Sequence, residues 1–178
     1  MKRLVMCFAV LSCLIAPIAA QQPPTRRTPG PDEKRLDFFV GHWNVQGENK
    51  PTPMGPGGKF SGKETAEWFP GNLFVVSHSE VKGSTRTASE QSEMGYNPDR
   101  KVYTYHMISS EGEELTAEGT VSGKTWTWTT EGAEGGKPYK GRMVIEETSP
   151  TTYTMKFSMS MDGGPFMDVM EGTGTKTK

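Results

Sequence analysis

The stretch Leu36-Asp37-Phe38-Phe39-Val40-Gly41-His42-Trp43-Asn44-Val45-Gln46-Gly47-Glu48 decides the fold of this chain. In its first half, Leu36, Phe39 and Val40 have the i, i+3, i+4 spacing of one apolar helix face, and Gly41 is a natural helix stop. Upstream, Asp32 is the expected N-terminal cap of about two helical turns that end near Phe39. We expect this short helix to lie across the open end of a sheet.

The second half of the stretch begins a series of predicted strands. After Gly41, segments of alternating apolar and polar residues recur about every ten residues, separated by Gly, Pro, Asn and Asp. The predicted strands are His42–Asn49, Lys59–Phe69, Leu73–Val81, Ser89–Tyr96, Val102–Ser109, Leu115–Val121, Thr125–Thr130, Tyr139–Glu147, Thr152–Met161 and Phe166–Thr175. Tight turns such as Asn97–Arg100 and Ser122-Gly123 make neighbouring strands antiparallel.

Closing such a meander removes the exposed edges that invite aggregation. The sequence therefore predicts an all-β chain, folded as a single antiparallel up-and-down barrel of about ten strands. The short N-terminal helix would cap one end of the barrel, and Trp43 would plug its bottom.

Alternation also predicts which side chains face inward. In Thr125–Thr129, two tryptophans lie on one side of the strand and three threonines on the other. One face of the ninth strand carries Tyr153, Met155, Phe157, Met159 and Met161. In Val102–Ser109 both faces are of similar character, so the inner face of that strand stays undecided.

Residues 1–20 have the pattern of a cleavable secretory signal peptide. Lys2 and Arg3 precede an apolar core from Leu4 to Ile15, and small residues favour cleavage after Ala20. Because that core is shorter than the ~20 residues of a membrane span, we expect no transmembrane span in the mature chain. A lipoprotein signal ending at Cys13 is the alternative. The sequence thus predicts a periplasmic or secreted protein, with a Pro-rich tether over residues 21–34 and a barrel domain over residues 35–178.

Composition narrows the functional classes. The two cysteines, Cys7 and Cys13, lie in the predicted signal, so the mature chain has no disulfide and no thiolate for metal binding or catalysis. The formal net charge is -1 and no basic stripe follows the leader, which argues against nucleic-acid binding. A hydrophobic content of 33% is lean for a helical core but sufficient for antiparallel strands with one wet face.

Three separated features resemble known families. Gly41-His42-Trp43 after a short helix resembles the Gly-x-Trp motif of calycins, the superfamily of lipocalins and fatty-acid-binding proteins. Met94-Gly95-Tyr96-Asn97-Pro98, followed by Lys101-Val102-Tyr103, resembles the turn-and-strand signature of the bacterial "domain of unknown function 1579" family. Arg142–Glu146 and Asp162–Glu171 are similar to the closing strands of that family.

The resemblance covers about Leu36 to Lys176 and implies a calycin-like barrel of the lipocalin or nitrobindin type in an exported protein, with no established activity to carry over. It implies structural roles for Gly41, Trp43, Gly95, Tyr96 and Arg142.

Two positions depart from the pattern of related barrels. Nitrobindin-like barrels of the wider superfamily bind haem through a histidine on a late strand, and this chain has no histidine after His106. The final strand, Gly172-Thr173-Gly174-Thr175-Lys176, lacks the arginine that usually stacks on the first-strand tryptophan. Arg142 is then the candidate cation for an indole ring, or else an exposed strand residue.

Methionine is the least ordinary part of the composition, because six of the eleven methionines lie between Met143 and Met170. They either fill the core in place of Leu or Val, or line a deformable pocket for apolar ligands. A third hypothesis, soft Cu(I) binding, lacks a tight ligand cluster among Met159, Met161, Met167, Met170 and His106. The predicted pocket residues are Trp126, Trp128, Tyr153, Met155, Phe157 and Met159, with His78 as either a hydrogen-bonded strand residue or a polar anchor inside the cavity.

No catalytic residue, metal site or cofactor is predicted. The chain has no Gly-x-Ser-x-Gly elbow, phosphate-cradling loop, dinucleotide fingerprint or metal-ligand spacing. Glu64, Glu67 and Glu80 could pair as acid and base, but carboxylates are common on the wet faces of barrels.

The leading hypothesis is an exported, non-catalytic barrel that binds a small hydrophobic or lipid-like ligand in its interior. The alternative is a protein-interaction or structural module of the cell envelope that acts through loops such as Pro51–Gly58. An enzyme of unknown reaction is the third hypothesis. The sequence leaves the ligand, the oligomeric state and the emptiness of the interior open.

Overall fold

Ten strands and a short helical segment form the part of the chain that the structure, a computed structural model, describes: residues 27–52 and 55–177. Of Glu134, only the backbone is described. The elements are α1 (Pro31–Lys34), a 3-10 turn (Arg35–Phe38), β1 (Gly41–Asn49), β2 (Gly58–Trp68), β3 (Phe74–Lys82), β4 (Thr87–Asn97), β5 (Val102–Ser109), β6 (Glu114–Ser122), β7 (Thr125–Glu134), β8 (Lys137–Ser149), β9 (Thr152–Met161) and β10 (Met167–Thr177).

The strands close into a barrel in the order β1-β10-β9-β8-β7-β6-β5-β4-β3-β2, each antiparallel to its neighbours. Closure joins the first strand to the last, with Trp43 opposite Lys176. The predicted all-β, up-and-down barrel with a helical cap is confirmed. In this ring of ten strands, β3 and β8 are five strands apart whichever way one counts, so their inner faces lie opposite each other across the lumen.

The strand boundaries agree with the predicted ones to within two residues, except at the end of β7. There β7 runs on to Glu134, four residues beyond the predicted end at Thr130, and β8 begins at Lys137, two residues before the predicted start at Tyr139. Gly135 and Gly136 join them at φ angles of 57° and 80°, the left-handed pair that a two-residue hairpin turn of type I′ requires. Alternation weakens in this hairpin because it projects past the core, and that is why its ends were not predicted.

The helical segment closes one end of the barrel, as predicted. Leu36 is fully buried, and Phe39 packs edge-to-face on Trp126 with ring centroids 5.0 Å apart. The indole N–H of Trp43 donates to the Phe39 carbonyl at 2.7 Å, and that of Trp68 donates to Asp37 at 2.8 Å. Trp43 is 2% exposed and forms part of the barrel floor.

The start of the helix differs from the prediction. Gly30, and not Asp32, is the N-terminal cap, and its backbone N–H donates to Glu33 Oε2 at 2.7 Å. Pro31 occupies the first helical position, where its missing N–H costs nothing. After a single α turn the chain tightens into a 3-10 turn, which lets so short a segment reach Gly41.

The described part of the predicted tether lies against the barrel. Arg27 donates to the carbonyl of Tyr96 at 3.3 Å and forms an ion pair with Glu33. The Tyr103 hydroxyl donates to the Asp32 carbonyl at 3.0 Å. The predicted signal peptide and residues 21–26 lie outside the described residues. Across residues 27–52 and 55–177, no helix has the length and apolar character needed to cross a membrane.

Candidate functional site

The barrel lumen is the candidate site because its inward-facing side chains remain accessible away from the cap. Near the cap, Trp43, Val75 and Trp126 are at most 2% exposed. Further along the same barrel, inward-facing residues such as Val45 and Met155 are only half-buried. The interior of the barrel is therefore closed and fully buried at the helical segment, and its inward-facing side chains are less deeply buried toward the other end.

The number of strands and the small size of many inward-facing side chains both favour a space inside the barrel. Eight strands already enclose room for one small ligand, and diameter grows with strand number; this barrel has ten strands. Many inward positions carry small residues: Gly47, Gly62, Ala66, Ser77, Ser79, Ala88, Ser92, Ala117, Gly119, Gly141, Gly172 and Gly174. Side chains of this size occupy little of the interior and leave its filling to the large inward-facing rings and methionines.

Several large rings lie flat on the wall above these glycines. A Cβ on Gly119 would be 2.5 Å from Cε3 of Trp128, and one on Gly141 would be 2.7 Å from Cζ of Phe157. The bare backbone of one strand thus receives the ring of the next, an arrangement that rescues glycine in sheets. The Phe157 ring is half-buried at this wall, whereas the Trp128 ring lies in the buried floor.

One wall of the lumen is apolar. The inner faces of β8 and β9 pair Met143 with Phe157 and Ile145 with Met155, and Met159 continues the row toward the open end. All five side chains are half-buried. Of the predicted pocket residues, Met155, Phe157 and Met159 therefore line the accessible lumen.

The other predicted aromatic residues form its floor. Trp126, Trp128 and Tyr153 face inward but are at most 7% exposed. The Trp126 N–H donates to Glu147 Oε1 at 2.7 Å, and Arg35 donates to the same oxygen at 3.0 Å. These contacts fix the floor to the cap.

The wall opposite is polar and acidic. Glu64 on β2 pairs in register with Ser79 on β3, which pairs with Glu90 on β4, so the three side chains form one row across three strands. The Ser79 hydroxyl donates to Glu90 Oε2 at 3.2 Å. Beside this row, the hydroxyls of Ser77 and Ser92 hydrogen-bond each other at 2.8 Å.

Burial raises the pKa of both carboxyls in this row, Glu64 and Glu90. Burial raises the pKa of Glu64; a hydrogen bond with Ser77 opposes this shift and the charge of Glu90 adds to it. Burial also raises the pKa of Glu90, opposed by the Ser79 hydrogen bond and reinforced by Glu113. Both groups touch accessible space and yet have protein around them, as residues inside a barrel do. Among the described residues, no Lys or Arg forms an ion pair with either carboxyl.

Two inward-facing tyrosines, Tyr105 on β5 and Tyr153 in the floor, are influenced by the charge of Glu64. Burial raises the pKa of Tyr105 well above its ordinary value, with hydrogen bonding to Ser92 opposing the shift and the charge of Glu64 adding to it. Burial likewise raises the pKa of Tyr153, helped by Glu64. Both phenols therefore stay protonated at neutral pH and can serve as neutral hydrogen-bonding groups.

The cation over Trp43 is Lys176, and Arg35 lies 5.6 Å from the centroid of Trp126; Arg142 contacts neither indole. The Lys176 ammonium lies 5.0 Å from the centroid of Trp43 and 5.7 Å from that of Phe38. Burial lowers the pKa of Lys176, and the charge of Asp37 opposes this. Arg142 lies on the outer face, because Met143 next to it faces inward. Its guanidinium covers Phe166 at 4.8 Å instead of an indole.

The hypothesis that His78 anchors a ligand in the cavity is wrong. Ser77 and Ser79 on either side of it face inward, so His78 points outward and is exposed. His42 and His106 also lie on the outer face, where they contact Thr65 and Glu114. No imidazole therefore reaches the lumen. In the described part of the chain, no group of three or more His, Cys, Asp or Glu side chains converges as metal ligands would.

Gly41, Gly95 and Tyr96, for which the resemblance implies structural roles, lie at or near the ends of strands. Gly41 begins β1 at a φ of 130°, which a residue with a side chain rarely adopts. Gly95 lies under the ring of Phe74 on the outer face, where a Cβ would be 2.5 Å from that ring. Tyr96 packs on Tyr103 with centroids 5.0 Å apart.

The grooves on the outer surface are weaker candidates. A broad one of about 1120 Å³ crosses the strands around β10 and β1, and its charged rim mixes Lys59, Lys82 and Lys156 with Glu146 and Glu171. It is open to solvent and its charges offset one another, so nothing in it defines a ligand. By contrast, the inner face of the barrel combines an apolar wall with an acidic wall that has no Lys or Arg ion-pair partner among the described residues.

The chain matches a family model described as "Protein of unknown function (DUF1579)" over residues 28–176. The chain belongs to the DUF1579 family. No curated protein sequence matches it significantly.

Two solved structures have folds similar to the barrel of this chain. Rv2717c from M. tuberculosis has a TM-score of 0.58 and 14% identity, covering 84% of this chain and 99% of the other. The S-type phycobiliprotein lyase CPES from Guillardia theta has a TM-score of 0.57 and 10% identity, covering 83% and 93% respectively. At these identities the similarity establishes a common fold.

Sequence reasoning missed Glu64, Glu90 and Lys176 as inward-facing residues. Glu64 and Glu90 occupy the same parity as Ala66 and Met94, which are buried. The signal was thus present in the alternation, but it was masked because the inner positions of β2–β4 are themselves largely polar or small.

Proposed function

We propose that this DUF1579 protein is an exported, non-catalytic carrier that binds a small hydrophobic or lipid-like ligand in its barrel lumen. The observation that carries the proposal is the half-buried state of the inward-facing side chains of Met143, Ile145, Met155, Phe157 and Met159. Apolar side chains left accessible inside an enclosure gain free energy when a ligand covers them, at about 25 cal/mol per Å².

Two further observations support the proposal. Methionine and phenylalanine on β8 and β9 provide a wall that adapts to ligands of different shape. The structural similarity to a phycobiliprotein lyase, a ligand-handling protein by its name, also supports the proposal. Export rests on the signal-peptide pattern of residues 1–20.

Native mass spectrometry tests the proposal on protein purified from its own cell envelope. We expect an added small-molecule mass that disappears after delipidation and returns when a lipid extract is added. Ala117, which faces inward on β6, allows a blocking variant: Ala117→Phe places a ring in the lumen. Thr116→Phe adds the same ring to the outer face of the same strand and is the matched control.

The added mass should persist in Thr116→Phe and be lost in Ala117→Phe, with thermal melting used to establish that both variants fold. Retention in both variants would place the ligand outside the lumen. Absence of any added mass in the wild type, before and after exposure to the extract, would contradict the proposal.

A further inference from the structure

The two walls of the lumen differ in chemistry across its diameter. The row Glu64–Ser79–Glu90 is centred on β3, and the apolar row of Met143 and Ile145 lies on β8. β3 and β8 are opposite each other in the closed ring. A molecule that spans the lumen therefore meets carboxylates at one end and apolar side chains at the other.

Within residues 27–52 and 55–177, no lysine or arginine forms an ion pair with the acidic wall. The ion pairs of the described residues lie elsewhere: the lysines and arginines involved bind carboxylates on the outer face or at the cap. The inward-facing ammonium, that of Lys176, lies over Trp43 and Phe38 in the floor, and the charge it responds to is that of Asp37. Glu64 and Glu90 thus face the lumen with serine hydroxyls as hydrogen-bonding neighbours and no positive charge beside them.

Two carboxylates that share an enclosed space repel each other and are poorly solvated. A ligand can remove both penalties by bringing one positive charge between them. An ammonium group suits this position, because it has three donors and can bond both carboxylates, while the Tyr105 hydroxyl lies near the same wall. A carboxylate or phosphate head group would add a third negative charge instead.

We infer that the lumen selects amphipathic cations: a protonated amine binds Glu64 and Glu90, and its apolar body lies against Met143, Met155 and Phe157. The inference rests on the proposed function, since it names the class of ligand for the same lumen. It predicts a preference that a purely apolar pocket would not have.

Isothermal titration calorimetry with three probes of equal chain length tests the inference: octylamine, octanol and octanoate. Hydrogen bonds to charged groups are stronger than neutral ones, so octylamine should bind about tenfold tighter than octanol, and octanoate should bind weakest. In Glu64→Gln/Glu90→Gln, octylamine should fall to the affinity of octanol, while octanol changes by less than about twofold.

Glu67 and Glu80 provide the matched control. They lie on β2 and β3 with exposed, outward-facing side chains, so Glu67→Gln/Glu80→Gln removes the same net charge outside the lumen. The preference for octylamine should survive in this variant. The single variant Glu90→Gln, closer to the open end, gives a second reading if the double variant does not fold.

Each outcome separates this inference from the proposed function. Equal binding of the three probes would overturn the cation preference and leave lumen binding intact. Tightest binding of octanoate would also overturn it. A preference for octylamine that is lost in the outer-face control would mean that net charge, and not the lumen row, attracts the amine. If no probe binds, the inference fails, and the native mass spectra decide whether the proposed function fails with it.

Discussion

Ionisation of Glu64 opposes folding, because its folded-state pKa lies above the ordinary value of 4.5. A group of this kind contributes full stability below its unfolded pKa and loses it as the pH rises through the folded pKa. We therefore expect Glu64→Gln to raise the thermal midpoint at neutral pH, with a gain that shrinks toward zero as the pH falls below about 4.5. Differential scanning calorimetry at a series of pH values measures this.

Glu67→Gln is the control for the pH series, because Glu67 lies on the same strand with an exposed side chain. Its thermal midpoint should follow the wild type at each pH within the small range of a surface substitution. A gain for Glu64→Gln that stays constant from acid to neutral pH would show that shape, and not ionisation, is responsible. A carboxyl that reduces stability and is nevertheless placed inside the barrel fits a binding role.

The positions of individual charged side chains were the hardest feature to predict from the sequence. Lys176 follows Gly172-Thr173-Gly174-Thr175, where no apolar side chain reveals the inner face; its position over Trp43 follows only from barrel closure. The prediction that Arg142 covers an indole rested on its charge alone. Because the next residue, Met143, faces inward, Arg142 must face outward, where it covers Phe166.

At the scale of elements, the inner walls of β6 to β10 depend on pairs of glycine and ring. In Gly119→Ala, the new Cβ would lie 2.5 Å from the Trp128 ring, which is 6% exposed and cannot move aside. Overpacking of this kind costs about 1–3 kcal/mol. For a domain of this size we expect the thermal midpoint to fall by about 2–4 °C per kcal/mol.

Gly83→Ala is the matched control for the glycine substitution. Gly83 follows β3, and a Cβ there would meet nothing closer than the Arg86 carbonyl oxygen at 3.7 Å. We expect it to change the free energy of unfolding by less than about 0.5 kcal/mol, or to stabilise slightly through the unfolded chain. Equal losses in both variants would mean that backbone freedom, and not contact with the ring, makes Gly119 necessary.

The inner face of a strand was predictable where its alternating pattern matched the burial of its side chains. The Trp126 and Trp128 alternation identified the inner face of β7 because both indoles face the core. The ninth strand was less simple: Ser158 and Ser160 lie on its outer face and are nevertheless buried, since they bond Asp168 at 2.8 Å and the Gly164 carbonyl at 2.6 Å. Alternation reports the face of a strand, but it does not report what the following loop covers.

For the whole molecule, the buried cap and the accessible opposite end predict a gradient of local stability along the barrel axis. The core cluster of Leu36, Phe39, Val75 and Trp126 lies at the capped end, where opening a strand would expose many buried apolar contacts. Toward the open end the inward-facing side chains are half-buried, so local opening there costs less. Hydrogen exchange measured by mass spectrometry should show slower amides at residues 125–129 of β7 than at residues 131–134, and slower amides at residues 75–77 of β3 than at residues 80–82.

Hydrogen exchange can also locate bound octylamine along the barrel axis. Because the lumen row crosses the middle of β2–β4, bound amine should slow exchange around Glu64 and Glu90 while leaving the cap-proximal amides near Val75 unchanged. Protection added uniformly along every strand would instead indicate stabilisation of the global fold by mass action. Equal exchange at both ends of the free protein would contradict the gradient itself, since it would mean that the barrel opens only as a single cooperative unit.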